Sequence, residues 1–460
     1  MPNTIEAPQL DHAPQLDHAL PGQWLGRLSE ARRQTDELFE IIAPNALYNR
    51  PIAERHRIIF YIGHLEAFDW NLFRDRLLSI PSFNPEFDKL FAFGIDPVDG
   101  GLPKDEPSDW PSIDRVRDYV GRIRARIDDA LADLDLSAKE ISAETDFSPH
   151  TLLNVAIEHR LMHAETLAYM FHQLPYEQKR APRSEPASIA RPLASRMIDI
   201  PEGMATLGLA RDTDAFGWDN EFEAHTVVVP AFAIDNHKVT NRQFLEFLKF
   251  GGYEERELWR PEDWEWKQSA GISYPVFWKQ AEDERNENDW SFRGMFDEIP
   301  LPMDWPVHVS HAEASAYARW AKKSLPTEAQ WHRAAYGTPE GIERQYPWGD
   351  DAPTDQKGNF DFARWNPTPV GAFPEGAGAF GVHDLAGNGW EWTSSIFQPF
   401  HGFRSFSFYP GYSANFFDGK HYVMKGGSSR TASSMLRRSF RNWFQPHYQY
   451  VYAGFRCVSH

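Results

Sequence analysis

Cysteine is almost absent from the 460-residue sequence. A single residue, Cys457, excludes an internal disulfide framework and fits a reducing compartment, so a cytoplasmic location is expected. Long apolar runs are missing too, with no window near 18 consecutive apolar residues. The opening "MPNTIEAPQLDHAPQLDHALPGQW" lacks a basic region followed by an apolar core. Neither a membrane span nor a secretory signal is expected. Basic residues are in deficit, 47 Lys and Arg against 66 Asp and Glu, for a net charge of -19. That balance argues against nucleic acid or an anionic membrane as partner.

What remains is the composition of a globular protein, 42% hydrophobic and 25% charged, in a chain long enough for two domains. Its 17 Trp and 33 Phe suit a tightly packed domain with an aromatic-lined pocket. "APQLDH" occurs at 7–12 and again at 13–18. Two short Pro-containing copies cannot stack into a solenoid, so residues 1–22 read as a disordered tail.

From 23 to 176, four long stretches carry apolar residues at helical spacing, including "RHRIIFYIGHLEAFDWNLFRDRLL" and "SPHTLLNVAIEHRLMHAETLAYMFHQL". They predict an up-and-down four-helix bundle. "EQKRAPRSEPASIARPLAS" has no periodicity, and a linker is expected over 177–197. From 198 to 460, Gly, Trp and short β-branched runs predict a loop-rich α+β domain, with one clear helix over 311–323.

The segment "EHRLMHAETLAYM", 158–170, sets His159 and His163 one turn apart on one helix face. Such a pair can chelate a metal, and His64 of the second helix joins them if the bundle brings facing helices together. Three neutral imidazoles suit Fe, Zn, Cu or Ni and do not choose among them. In a chain with 18 His, a pair four apart also arises simply to cap or hydrogen-bond a helix.

The second half supplies an independent signal. "IPEGMATLG", "FAIDNHKVTNRQFLEFLKF", "PVHVSHAEASAYARWAKKSLPTEAQWHRAA", "YPWGD", "GVHDLAGNGWEWT" and "GGSSR…RNWFQPHYQYVYAGFRCV" occur in this order. Together they closely resemble the sulfatase-modifying-factor, or formylglycine-generating-enzyme-like (C-type-lectin-like), fold. In that resemblance Trp390, Glu391 and Trp392 read as packing. The first half, with "GH" in one helix and "H…H" in another, resembles the DinB-like metal-binding bundle. This arrangement is similar to the iron-dependent sulfoxide synthases of ergothioneine and ovothiol synthesis and to the related selenoneine synthases. The resemblance implies that His64, His159 and His163 hold Fe(II), leaving positions for O2, a chalcogen donor and hercynine. The new bond would form at the imidazole carbon between the two nitrogens.

Departures from the family pattern bear on the donor. Formylglycine-generating enzymes need a pair of active-site cysteines, which this chain lacks. Ergothioneine synthases that use γ-glutamylcysteine carry paired arginines after the first bundle half. Here "FGIDPVDGGLPKDEPSDWPS", 93–112, holds no arginine, only Lys104, with Asp96, Asp99, Asp105, Glu106 and Asp109. This stretch reads as repelling an anionic donor and offering a neutral sugar donor acceptors and a platform in Trp110. The family's amine-contacting aspartate after "RNW" is replaced by Phe444. Both departures point to a selenosugar donor, as in selenoneine synthases. The alternative is an ergothioneine-type sulfoxide synthase using cysteine or γ-glutamylcysteine.

The resemblance also places substrate contacts at Asn442 and Trp443, whose ring suits a quaternary ammonium. Met162 stands where several relatives have glutamine, and the family's catalytic tyrosine maps nearest to Tyr409 and Tyr412. Two readings lie outside this class, a Zn-dependent thiol transferase of the DinB type and a binding module without catalysis. Oligomeric state cannot be read from the sequence.

Overall fold

The computed structural model describes residues 21–92, 102–132, 148–182, 193–280 and 290–459. The tail expected over 1–22 therefore lies outside the described residues save its last two. Residues 93–101 and 183–192 also lie outside them, and with them Asp96, Asp99 and the middle of the expected linker.

The first half is helical: α1 Pro21–Glu40, α2 Ile58–Phe73, a short α3 Pro85–Leu90, α4 Ile113–Ala132 and α5 Pro149–His172. In α4 the buried residues Val116, Tyr119, Ile123, Ile127 and Leu131 recur every three or four positions, so one stripe faces inward and the rest stays wet. α5 differs, being buried on nearly every side. It starts sharply because the Ser148 side chain accepts from the Thr151 N–H and Pro149 takes the first turn. α1 packs along α5 and α2 along α4, with α2 also against α5, which closes the four-helix bundle. Among the described residues, no helix is long and apolar enough to cross a membrane.

The second half is mixed α+β, built from small sheets. β1 Met197–Ile200, β2 Gly203–Leu207, β3 His225–Val229 and β4 Phe232–Asp235 come first, then α6 Asn241–Lys249 and α7 Pro261–Ala270. β5 Trp278–Gln280, β6 Trp290–Arg293 and β7 Glu298–Pro300 make a meander. α8 His311–Trp320 and α9 Glu328–Tyr336 precede β8 Trp390–Ile396, β9 Tyr422–Lys425, β10 Asn442–Phe444, β11 Ala453–Gly454 and β12 Val458–Ser459. One sheet runs β10-β9-β8-β11 and another β1-β4-β12. Thus α8 ends three residues short of the helix expected over 311–323.

α5 is buried all round because the second half docks on it. Glu158, Glu165 and His172, spaced by seven, form one stripe of the helix. Glu158 pairs with Arg437 at 2.6 Å. Glu165 accepts from Trp390 Nε1 at 2.8 Å, from Thr431 Oγ1 at 2.8 Å and from Ser428 Oγ. His172 Nε2–H donates to the Arg293 carbonyl at 2.7 Å, so its Nδ1 accepts from the Tyr452 hydroxyl at 3.0 Å. Trp390 of β8 is thus a docking residue, while Glu391 pairs with Arg456 at 2.6 Å and Trp392 Nε1 donates to the Val309 carbonyl. Polar residues that would face water on an isolated bundle are here the seam between the halves.

Candidate metal centre

His64 of α2 and His159 and His163 of α5 converge, with one nitrogen from each lying within 4.8 Å of the others. Their ring centroids are 4.5 Å apart for His159 and His163, 5.0 Å for His64 and His163, and 5.4 Å for His64 and His159. All three are buried. The bundle has therefore done what spacing could not, bringing the third histidine across from the facing helix.

The register of α2 against α5 is held behind the triad. Arg160, one residue after His159, reaches Asp69 at 2.6 Å and Glu66 at 3.0 Å, and donates to the Leu65 carbonyl at 3.1 Å. Arg124 of α4 reaches the same Glu66 at 2.7 Å. Burial would raise the Glu66 carboxyl, but the surrounding guanidiniums outweigh it and hold it below its usual range. A buried carboxylate shared by two helices fixes their relative rotation, which sets where the histidines meet.

His64 is oriented as well as placed. Its Nδ1–H donates to the Phe91 carbonyl at 2.7 Å, which leaves Nε2 for the centre of the cluster. Burial pushes the His64 imidazole down to about 4. Burial and then mutual repulsion push His159 and His163 well below their usual range. All three are neutral at pH 7 and keep a lone pair free. Nδ1 of His159 and of His163 is buried without a hydrogen-bond partner. Buried imidazoles short of hydrogen bonds are costly, and a cation shared by the three converging nitrogens would offset part of that cost. The residues fit a histidine-ligated metal.

An aromatic jacket surrounds the cluster. Phe60 stacks on His64 at 4.8 Å and Phe68 on His159 at 3.5 Å, and Tyr61 lies 5.8 Å from His163. Phe60, His64 and Phe68 recur every four residues along α2, so the spacing that aims His64 inward also carries the rings that flank the cluster. From the other half, Tyr409 meets Phe68 and His159 in edge-on geometry, its ring centroid 5.4 Å from that of Phe68 and 6.5 Å from that of His159. Tyr412 stands one ring further out, stacked on Trp218 at 3.9 Å, with its hydroxyl 3.5 Å from the Met162 sulfur. Trp443 meets Tyr412 edge-on at 5.5 Å and stacks on Phe397 at 4.2 Å.

Other expected site residues lie further out. Phe444 stacks on Tyr448 at 5.0 Å. The Asn442 side chain turns back to accept from the Trp443 N–H at 2.8 Å. Trp110 packs 5.9 Å from Phe60 and 6.2 Å from Phe91, and its Nε1 donates to Asp105 at 2.7 Å. One ring thus separates it from His64.

Residues 182–460 match the sulfatase-modifying factor enzyme 1-like domain, and residues 27–167 match the DinB superfamily. A hercynine oxygenase of Mycobacterium tuberculosis is 36% identical over 75% of this chain and 77% of its own length. One from Mycolicibacterium smegmatis is 35% identical over 81% and 83%. The chain belongs to the hercynine oxygenase family. As a member of that family it is an oxidoreductase. Ergothioneine biosynthesis protein 1 of Neurospora crassa is 28% identical over 91% of this chain and 55% of its own length.

One reading of the sequence needs correction. Residues 93–112 read as repelling an anionic donor, but within their described part Asp105 is not free to do so, being clamped by Arg50 and, at 3.0 Å, by Arg57. Both arginines come from the loop between α1 and α2, about 50 positions upstream, which local charge counting could not reveal. Burial would raise the Asp105 carboxyl, and Trp110 and the two arginines together lower it. Cys457 is fully buried, and burial pushes its thiol well up. It is packing, as a lone core cysteine should be.

Proposed function

We propose that this member of the hercynine oxygenase family holds Fe(II) on His64, His159 and His163 and uses O2 to join a chalcogen donor to the imidazole carbon of hercynine. The observation that supports it most is the neutral, dry three-histidine cluster placed where the two halves meet. Bound Fe(II) would supply the electron-transfer chemistry that O2 needs. The atoms balance when the C–H of hercynine and the chalcogen–H of the donor are both lost. One oxygen atom then stays on the chalcogen as its oxide and the other leaves as water. Phe60, Phe68 and Tyr61 keep bulk water from the cluster. Tyr409, the tyrosine whose ring lies against His159, holds the proton delivered to the reacting oxygen, whereas the Tyr412 hydroxyl is turned to Met162.

For the donor we favour a selenosugar, the selenoneine branch of this family. Phe444 replaces a carboxylate that would grip an amino group, and it stacks on Tyr448. Arg50 and Arg57 already spend their guanidiniums on Asp105. The names of the relatives favour the second reading, an ergothioneine-type sulfoxide synthase with a thiol amino-acid donor. The test gives iron-loaded protein hercynine and air with cysteine, γ-glutamylcysteine and a 1-selenosugar in one competition, read by mass spectrometry. A hercynine–selenium adduct is expected. A hercynine–cysteine sulfoxide would assign the thiol donor instead, and no adduct at all would overturn the function.

A further inference from the structure

Arg55, in the loop before α2, is a buried guanidinium that meets no carboxylate among the described residues. It is 8% exposed. Nε donates to the Tyr448 hydroxyl at 3.0 Å and Nη2 to the Tyr169 hydroxyl at 3.0 Å. The group also lies over the Tyr448 ring at 5.1 Å and the Tyr169 ring at 5.9 Å. A guanidinium has five N–H donors, so among the described residues these bonds leave three unused, including both on Nη1. Among the described residues no carboxylate pairs with it, although Arg50 and Arg57 on either side both pair with Asp105. Neutral phenols soften the cost of burying the charge but do not cancel it.

Its position lies between the histidine cluster and the wall that carries Phe444. Tyr169 belongs to α5, six residues beyond His163, and Tyr448 stacks on Phe444. The charge of Arg55 reaches both Tyr61 and His163, and those two rings are 5.8 Å apart.

We propose that Arg55 is a substrate-binding residue whose free donors take the carboxylate of hercynine while the imidazole faces the histidine cluster. The inference rests on the hercynine reading above. Planar pairing with a carboxylate uses the donors the phenols leave open and neutralises the buried charge. A selenosugar carries no carboxylate, so under that donor hercynine is the source. Thiol amino-acid donors carry one too, and the test separates them.

Calorimetric titration of anaerobic iron-loaded protein compares hercynine with its decarboxylated analogue, the trimethylammonium derivative of histamine. The wild type should bind hercynine about 10- to 100-fold tighter than the analogue, the range for hydrogen bonds to a charged group. In Arg55→Met that ratio should collapse towards one while the analogue binds as before, and Arg55→Lys should restore part of it. An unchanged ratio in Arg55→Met would overturn the proposal. So would equal loss of both ligands, the mark of a strut between the halves. A selective loss of γ-glutamylcysteine binding would overturn it by moving the carboxylate to the donor. If the wild type binds neither hercynine nor the analogue, the functional reading itself fails.

Discussion

Gly63 and Phe91 touch where no other residue than glycine fits. A Cβ at position 63 would stand 2.5 Å from the Phe91 ring, and the carbonyl of that same Phe91 orients His64. The "GH" pair in α2 is one device, the glycine admitting the ring that brings the carbonyl to the ligand. Gly63→Ala should leave the helix intact, since alanine favours helix, yet weaken iron binding about 10- to 100-fold. A chelator competition would measure it. Unchanged affinity would mean that Phe91 does not orient His64.

The seam between the halves makes a separate prediction. Arg437 bridges Glu158 at 2.6 Å and Glu221 at 2.5 Å. Arg437→Met leaves two buried carboxylates without their cation and should cost about 3–5 kcal/mol in urea unfolding. A loss below about 1 kcal/mol would show that the clasp is not what joins α5 to the second half.

Acid should destabilise the metal-free protein. Burial pushes His172, His308 and His311 each down to about 3, against about 6.5 in an unfolded chain. Below pH 6.5 the unfolded chain takes up protons that the folded one refuses. Stability then falls as pH drops towards 3, by up to about 1.4 kcal/mol per pH unit for each histidine. The buried Glu165 carboxyl, raised chiefly by desolvation, opposes this with the reverse sign. Comparing unfolding at pH 7 and pH 5 for wild type and His308→Asn isolates one histidine, and the variant should show the shallower slope. Equal slopes would contradict the assignment.

Phe444→Asp should restore a carboxylate for a donor amino group. In the donor competition its share of cysteine or γ-glutamylcysteine adduct should rise at least severalfold over wild type. An unchanged distribution would remove Phe444 from the account of donor choice.

The four bundle helices and the His159–His163 pair were legible because both rest on local periodicity, and a helix keeps its 3.6-residue repeat in any context, whereas His64 joined them only through the bundle and the family resemblance. The second half was legible only through its resemblance, since its strands are two to seven residues long and alternate too briefly to announce themselves. Glu158 and Glu165 drew no expectation from the sequence, because the partners that bury them, Arg437 and Trp390, lie more than 220 positions away. Asp105 read as bare charge because Arg50 and Arg57 are distant in sequence. Arg55 carried no signal at all, because its meaning lies in the carboxylate it lacks among the described residues.

The most direct test of the metal centre is iron content. Purified wild type loaded with Fe(II) and desalted should hold one iron per chain, and His64→Ala, His159→Ala and His163→Ala should each lose it while keeping their helical circular dichroism. Iron retained at full stoichiometry in all three variants would contradict the centre on which the account stands.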